Sequence, residues 1–317
     1  MGMIISASRR TDIPAYYADW FFNGLKQGFV LARNPMNARQ VSKIPLSPEA
    51  VDCVVFWTKN PQPMLAGLRR LAAYPFYFQF TLNAYGEDIE TRLPGKNELI
   101  GAFIRLAGLA GPDRVLWRYD PILLNGRYTL AYHIEHFEKI ARALRGHTKK
   151  ATISFITLYS KIREPARRLN MRAPSPGEKD MLAGNLSNIA RENNLLLEAC
   201  AGERGWPAYG VLPARCIDGD LIAKLSGRCI TAAKDKNQRP ACGCAASVDI
   251  GAYNTCLNGC LYCYANRGPG VAEKNMKNHD PASPLLTGHI RGHDVIHERA
   301  GPGGKAAQGC LFSGELT

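Results

Sequence analysis

The sequence predicts an α/β protein whose core is an open or partial (β/α) barrel. Short apolar runs rich in β-branched and aromatic residues alternate with segments of helical periodicity along most of the chain. Such alternation is typical of βα units arranged around a parallel sheet. The 317 residues are 46% hydrophobic and 21% charged, as in a globular protein with a sizeable core. Because no linker interrupts the alternation, we expect a single barrel domain.

Each element follows from its local pattern. The predicted strands are the apolar runs at residues 3–8, 53–58, 76–82, 114–118, 151–157, 195–200 and 247–250. Helices are predicted where apolar residues recur at spacings of three and four, at residues 16–26, 63–73, 98–109, 128–144 and 178–193. Residues 1–272 are expected to form the barrel, which includes a cysteine-bearing loop at 242–265. Residues 273–317, rich in Gly, His, Lys and Pro, are predicted to form a loop-rich tail that packs in part on the barrel.

Hydropathy and charge restrict the functional classes. No run approaches eighteen apolar residues, and the first residues lack the pattern of a signal peptide, so we expect a cytoplasmic protein without a membrane segment. The formal net charge of +13 favours an anionic partner such as a nucleic acid or a phosphorylated substrate. A basic surface that only keeps the protein soluble is the simpler interpretation. The sequence indicates no oligomeric state.

The cysteines carry the strongest chemical signal. Eight of the ten lie between residues 200 and 263, and in a cytoplasmic protein metal or cluster ligation is more typical for them than disulfides. Three of them form the run Cys256-Leu-Asn-Gly-Cys260-Leu-Tyr-Cys263. Three thiolates on one tight loop can bind three irons of a [4Fe–4S] cluster and leave the fourth iron without a protein ligand. The alternative is a zinc site completed by Cys242 or Cys244.

Several predicted strands finish in residues that can bind a charged or hydroxylated ligand. These residues are Thr11, Asp12, Lys59, Gln79, Thr81 and Arg118. The carboxyl ends of parallel strands meet at one edge of the sheet, so these side chains are expected to line one binding site. Simpler roles stay open for three of them. Asp12 suits a helix N-cap, Lys59 a surface position, and Arg118 an ion pair with Asp120.

The Cys-x-x-x-Cys-x-x-Cys run, with Tyr262 before its last cysteine, resembles the radical S-adenosylmethionine superfamily. This resemblance implies a [4Fe–4S] cluster that binds S-adenosylmethionine at its open iron. It also implies an enzyme that cleaves this cofactor reductively and uses the 5′-deoxyadenosyl radical to abstract hydrogen from a substrate that the sequence does not identify. The electron would come from an external donor of the flavodoxin or ferredoxin type.

The resemblance extends over roughly residues 3–290. Through the segments 8–14, 57–61, 118–121 and 242–244, the chain resembles an uncharacterised bacterial family of radical-S-adenosylmethionine-like proteins with a C-terminal cysteine motif. The motif order also resembles the spore photoproduct lyase-like branch in circularly permuted form, which implies that the cysteine-bearing strand 247–250 lies beside strand 3–8. Permutation is tolerated in barrels because the first and last strands are neighbours.

The resemblance also implies contacts with S-adenosylmethionine. Thr11 and Asp12 would lie near its amino group. Lys59 would bind its carboxylate, with Arg118 as a second candidate for this role. Thr81 or Gln79 would contact the ribose.

A second group of cysteines comprises Cys200, Cys216, Cys242 and Cys244. These four residues could ligate a second iron–sulfur cluster, or they could be buried apolar thiols, which is a common role of free cysteine. Cys53, inside a continuous apolar run, is expected to be a packing residue. The alternative function to a radical enzyme is a non-catalytic iron–sulfur or zinc protein that binds nucleic acid through its basic surface.

Overall fold

A parallel sheet of eight strands organises the chain in the computed structural model, which describes residues 2–200, 205–230 and 233–299. The strands of the described residues are β1 (Met3–Ala7), β2 (Phe29–Arg33), β3 (Gln40–Pro45), β4 (Val51–Thr58), β5 (Phe76–Thr81), β6 (Val115–Ile122), β7 (Lys150–Phe155), β8 (Leu196–Ala199), β9 (Leu212–Pro213), β10 (Val248–Asp249) and β11 (Val295–Glu298). The α-helices are α1 (Ile13–Tyr16), α2 (Ala18–Gln27), α3 (Gln62–Leu65), α4 (Lys96–Ala110), α5 (Leu130–Ala143), α6 (Arg163–Arg168), α7 (Pro176–Glu192), α8 (Gly219–Ser226) and α9 (Pro269–Met276).

The strand order in the large sheet is β10-β1-β4-β5-β6-β7-β8-β9, and every neighbouring pair is parallel. The predicted α/β class is therefore confirmed. All seven predicted strands are present, with bounds that differ by a few residues from those predicted. Their carboxyl ends lie at one edge of the sheet, where the polar strand-end residues were expected to meet.

The predicted position of the cysteine-bearing strand is confirmed as well. Strand β10 pairs with β1, with Ile5 opposite Val248 and Ser6 opposite Asp249. The Asp249 carboxylate accepts hydrogen bonds from the hydroxyls of Ser6 (3.0 Å) and Ser8 (2.5 Å) and from the backbone N–H of Arg9 (3.0 Å). These contacts join segments that are more than 200 residues apart in the chain.

The two faces of the sheet pack against different groups of residues. Because side chains alternate along a strand, Val54 and Phe56 of β4 pack into the main core, whereas Cys53 and Val55 face a smaller cluster on the other side. The main core also holds large side chains from the helices, such as Trp20 and Phe103. The smaller cluster is completed by residues of the 216–245 segment, namely Cys216, Ile217, Ile222, Cys244 and Ala245. Residues 216–230 and 233–245 therefore cover this second face.

Several parts of the fold differ from the sequence-based prediction, and the elements not predicted include α6, α8, α9, β9 and β11. The predicted helix at 63–73 is wrong, because α3 ends at Leu65 and a separate 3-10 turn follows at Leu68–Leu71. Gly67 lies between them, and a Cβ there would stand 2.2 Å from the Phe22 ring, so the close approach of α2 fixes this break. Strands β2 and β3 were not predicted. With β11 they form a separate three-stranded sheet in the order β11-β3-β2.

The predicted tail begins at residue 273, and its part at 300–317 lies outside the described residues. Within 273–299 the chain contacts the rest of the molecule, since β11 pairs with β3 and His279 packs edge-on against Tyr17 at a centroid distance of 4.8 Å. The division into a barrel and a tail stays a prediction. In the described part of the chain, no helix combines the length and the apolar character that a membrane span requires.

Candidate active site

A cavity of about 440 Å³ opens at the carboxyl ends of the parallel strands. Side chains at the ends of β1, β4, β5, β6 and β7 line it, among them Asp12, Lys59 and Thr81. Two groups of cysteines complete its walls. We call residues 256–263 the three-cysteine loop, and Cys200, Cys216, Cys242 and Cys244 the four-cysteine set. All seven of these cysteines border the same cavity.

The three-cysteine loop is held by its own backbone and by the segment around residue 90. Gly259 has φ +68° and a Cβ there would lie 2.2 Å from Thr91 Oγ1, so this position requires glycine. The N–H of Leu261 donates to the carbonyl of Ile89 at 3.0 Å, and Cys260 pairs with Glu90 in an isolated antiparallel bridge. The Cys-x-x-x-Cys part of the loop is therefore fixed against the chain that follows β5.

Asp12 links this loop to the ends of β1 and β4. Its Oδ1 accepts the N–H of Ala15 at 3.1 Å, which confirms the predicted N-cap of α1. Its Oδ2 accepts the backbone N–H of Lys59 at 2.7 Å and the side-chain amide of Asn258 at 3.0 Å. Burial raises the pKa of Asp12, and these hydrogen bonds oppose the shift. Asn258 in turn accepts the hydroxyl of Tyr16 at 2.8 Å, so its amide orientation is fixed from both sides.

Lys59 is not a surface residue. Its ammonium lies 2.8 Å from Oε1 of Glu90, and only 12% of its side chain is exposed. Glu90 also pairs with Lys96 at 2.5 Å and accepts a hydrogen bond from the hydroxyl of Tyr262. Burial opposes ionisation of Glu90, but the two lysines outweigh it and lower the pKa of Glu90 to about 2. Burial likewise opposes the charge of Lys59, yet Glu90 leaves the pKa of Lys59 raised.

The three thiols of the loop are poor acids in the protein alone. Burial raises the pKa of Cys260 to about 12 and also raises the pKa values of Cys256 and Cys263. The N–H of Ala265, at 3.3 Å from the Cys263 sulfur, and the positive charge of Lys59 favour the thiolates but do not offset burial. A soft cation at this position would supply the missing stabilisation, because a metal deprotonates a coordinating thiol. The donor set therefore fits an iron–sulfur cluster.

Thr11 provides an independent sign that the cavity takes a polar ligand. The residue is buried and lines the cavity. Its hydroxyl Oγ1 has no hydrogen-bond partner among the residues that the structure describes. Buried hydroxyls are normally satisfied, and an orphaned one needs an explanation. A ligand with a polar group near Thr11 would satisfy it, which fits the amino group that the resemblance places there.

The two residues predicted for the ribose occupy different places. Thr81 lines the cavity at the end of β5. Gln79 is fully buried and is not part of the cavity wall. Its amide donates to the carbonyl of Cys216 at 2.9 Å, and its Oε1 lies 3.4 Å from Arg118. Thr81 is therefore the better candidate for a contact with a bound ligand, and Gln79 supports the segment that carries Cys216.

Arg118 lies at the four-cysteine set. Its guanidinium pairs with Asp120 at 2.5 Å, as the simpler interpretation of the sequence predicted. One of its amino groups also donates to the Cys216 sulfur at 3.0 Å. The side chain is 5% exposed, and its donors face Asp120, Gln79 and Cys216. These contacts favour Lys59 over Arg118 as the cation available to a ligand carboxylate.

The four-cysteine set lies on another wall of the cavity. The Cys200 and Cys216 sulfurs are 3.2 Å apart, and the N–H of Cys216 lies 3.2 Å from the Cys244 sulfur. The neighbouring thiol of Cys244 hydrogen-bonds with Cys242 and lowers the pKa of Cys242 to about 7. In the described ranges, no three His, Cys, Asp or Glu side chains have the arrangement of a single-ion metal site.

Residues 4–265 match the model of the family described as Domain of unknown function (DUF1848). The chain belongs to this family. No curated protein matches the chain. The DUF1848 region runs from β1 to just beyond the three-cysteine loop, so every residue named above as lining the cavity lies within it. The predicted membership in a family of unknown function is confirmed, whereas the wider resemblance to radical enzymes stays a hypothesis.

Two residues of this DUF1848 site were not predicted from the sequence. Glu90 anchors Lys59, Lys96 and Tyr262, but it lies in a connection without helical or strand periodicity, so nothing local distinguishes it from a surface glutamate. Asn258 lies inside the cysteine motif. Its amide lies between Cys256 and Cys260, two predicted ligands, and this position was the available signal that it orients the loop. Its partner Asp12 is 246 residues away in the sequence, so the contact itself was not predictable.

Proposed function

We propose that this DUF1848 protein is an iron–sulfur enzyme that binds S-adenosylmethionine and cleaves it reductively to initiate radical chemistry on a substrate held in the same cavity. One observation carries the proposal. The three thiols of the three-cysteine loop border the same cavity as Thr11, Lys59 and Thr81, which come from three different strand ends. A loop that only braced the chain around a metal would need no such polar cavity beside it.

Cys256, Cys260 and Cys263 would hold a [4Fe–4S] cluster, each thiolate on its own iron. The cluster and S-adenosylmethionine together supply reductive cleavage of a carbon–sulfur bond when bound. The protein positions the three cysteines that would hold the cluster. Asp12 and Asn258 fix the loop relative to the ends of β1 and β4, and the backbone N–H of Ala265 donates to the Cys263 sulfur. These contacts keep the three sulfurs facing the cavity.

The charges near Lys59 suit a carboxylate ligand. Glu90 is fully ionised at neutral pH, since its pKa is about 2. Its negative charge is shared between Lys59 and Lys96, so the three side chains together carry a net charge of +1. Glu90 thus holds the Lys59 ammonium in place without neutralising the pair of lysines. A carboxylate in the cavity would meet this residual positive charge at the side of Cys260.

Thr11 and Thr81 would complete the recognition of the cofactor. The unpaired Thr11 hydroxyl would accept from an amino group, and the Thr81 hydroxyl would contact the ribose. The remaining cavity wall, with Trp57, Phe155 and Tyr159, would enclose the substrate. Radical chemistry needs such a wall because it excludes water and competing hydrogen donors. The electron would be delivered by an external flavodoxin- or ferredoxin-type protein.

The test is cofactor cleavage under anaerobic conditions. The reconstituted protein is mixed with S-adenosylmethionine and dithionite, and 5′-deoxyadenosine is quantified by chromatography. We expect release by the wild-type protein and by Cys53→Ala, whose thiol is buried away from the cavity. We expect no release by Cys256→Ala, Cys260→Ala or Cys263→Ala. Release that is unchanged in any of these three variants refutes the proposal.

A protein that retains iron and sulfide but releases no 5′-deoxyadenosine would instead favour the non-catalytic alternative. That alternative has its own signature. Binding to a short DNA duplex through phosphate contacts would weaken steeply with salt, with a log–log slope of about −0.9 per phosphate contacted.

A further inference from the structure

The four-cysteine set is assembled from distant parts of the chain. Cys200 directly follows β8, Cys216 follows β9, and Cys242 and Cys244 precede β10. Residues on both sides of the 231–232 gap pack on the second face of the sheet, where Cys216 and Cys244 are in contact. Cys216 also lies 3.2 Å from Cys200, sulfur to sulfur. Four thiols from three separate segments thus meet at one position on the cavity wall.

Cys216 and Cys244 belong to the smaller apolar cluster, but the four-cysteine set also borders the cavity and contacts polar groups. Cys53 shows what a packing cysteine looks like in this protein, since it is fully buried in β4 among apolar residues and its thiol donates to the carbonyl of its neighbour Val54, at 3.8 Å. The four-cysteine set instead borders the cavity and receives polar donors. The buried Arg118 donates to Cys216 at 3.0 Å, and the N–H of Cys216 donates to Cys244. A buried guanidinium beside sulfur favours the thiolate, which is the form that binds metals.

The arrangement also differs from a structural zinc site. A zinc ion holds four ligands at about 2.3 Å from a single centre and is normally closed off from solvent. The four-cysteine set instead borders an open cavity. An iron–sulfur cluster distributes its thiolates over more than one iron, and hydrogen bonds to its sulfurs are part of such sites. Arg118 and the backbone N–H of Cys216 provide these bonds.

We propose that Cys200, Cys216, Cys242 and Cys244 ligate a second iron–sulfur cluster that faces the cavity from a wall other than the three-cysteine loop. All four ligands come from the protein, so this second cluster has no open iron for S-adenosylmethionine. Arg118 acts on it as a positioning residue, held by Asp120 and Gln79 and donating to the Cys216 sulfur. This assignment concerns residues that the proposed cofactor does not use and stands independently of the proposed function.

The experiment separates the two groups of cysteines. Three proteins are reconstituted anaerobically with iron and sulfide. They are the full-length protein, the triple variant Cys256→Ala/Cys260→Ala/Cys263→Ala, and this triple variant with Cys242→Ala added. Iron, acid-labile sulfide and zinc per chain are then measured. We expect the triple variant to keep iron and labile sulfide with charge-transfer absorption in the visible spectrum. We expect these to be lost when Cys242→Ala is added, whereas Cys53→Ala keeps the wild-type content.

The proposal is overturned if the triple variant contains no labile sulfide or if it holds zinc alone. It is also overturned if anaerobic mass spectrometry of the triple variant finds a Cys200–Cys216 disulfide. If the triple variant does not fold, the single variant Cys242→Ser decides, because Cys242 is only partly buried and serine is close in size. Its iron and sulfide content should then fall below that of Cys53→Ala, and equal contents overturn the proposal. Release of 5′-deoxyadenosine is measured separately. The iron and sulfide contents can therefore be interpreted even if the proposed function is wrong.

Discussion

The three-cysteine loop and the four-cysteine set hold their sulfurs at the same cavity by different means. The loop is one continuous segment, fixed by charged and polar side chains, above all Asp12 and Glu90. The four-cysteine set is gathered from three segments by apolar packing, since Cys216 and Cys244 lie in the cluster that covers the second face of the sheet. The loop should therefore respond to the loss of single polar contacts, and the four-cysteine set to changes in packing.

The largest effect is expected at Glu90. In Glu90→Ala, the buried ammonium of Lys59 loses its carboxylate, and breaking a buried ion pair from one side costs about 3–5 kcal/mol. Urea unfolding should show this loss in the free energy of unfolding, and the three-cysteine loop should bind less iron than the four-cysteine set. Glu135→Ala is the matched control, because Glu135 pairs with Lys139 on an exposed helix face. Equal stabilities of the two variants would mean that charge does not hold the loop.

The next effect distinguishes the two buried cations. Lys59→Ala should weaken the binding of S-adenosylmethionine by about 1.5–3 kcal/mol, which is the range for a hydrogen bond to a charged group, or roughly tenfold to a hundredfold in affinity. The iron content should stay unchanged, because Glu90 keeps Lys96 as a partner. Arg118→Met is the counterpart at the four-cysteine set. We expect it to leave the affinity for S-adenosylmethionine within a few-fold of wild type in an equilibrium titration. A greater loss in Arg118→Met than in Lys59→Ala would reverse the assignment of the carboxylate partner.

The smallest expected effect on stability comes from the close contact between the three-cysteine loop and Thr91. Gly259→Ala and Gly227→Ala both place a side chain at positive φ, +68° and +65° respectively, which costs about 1–2 kcal/mol in each. Only at Gly259 would the new Cβ meet another group, 2.2 Å from Thr91 Oγ1. Overpacking of this kind costs about 1–3 kcal/mol, so Gly259→Ala should be the less stable variant in parallel urea titrations. If the two lose the same stability, Thr91 moves away freely and the loop is less constrained than its contacts indicate.

The same contrast explains how much of the site the sequence could predict. The three-cysteine loop was predictable because its cysteines follow one another at fixed spacing. The polar residues at the strand ends were predictable as neighbours because parallel strands finish at one edge of the sheet. The grouping of Cys200 with Cys216 and Cys244 left two interpretations open, because their proximity depends on the path of the segment 216–245. Glu90 had no local signal at all. Strands β2 and β3 were missed because they pair outside the main sheet, in a region read as a connection.

The position of β10 has a consequence for how the molecule is assembled. Proteins generally begin to fold from the N-terminal side during synthesis. Strand β1 is made early, but its neighbour on one side, β10, and the Asp249 contacts to Ser6 and Ser8 come from the last quarter of the described chain. Until then, β1 presents an unpaired edge, which is a site where strands of other molecules can add. The cysteine motif emerges only after all eight strands of the large sheet. If the loop binds a cluster as proposed, iron would be loaded onto a complete set of strands rather than onto a free peptide.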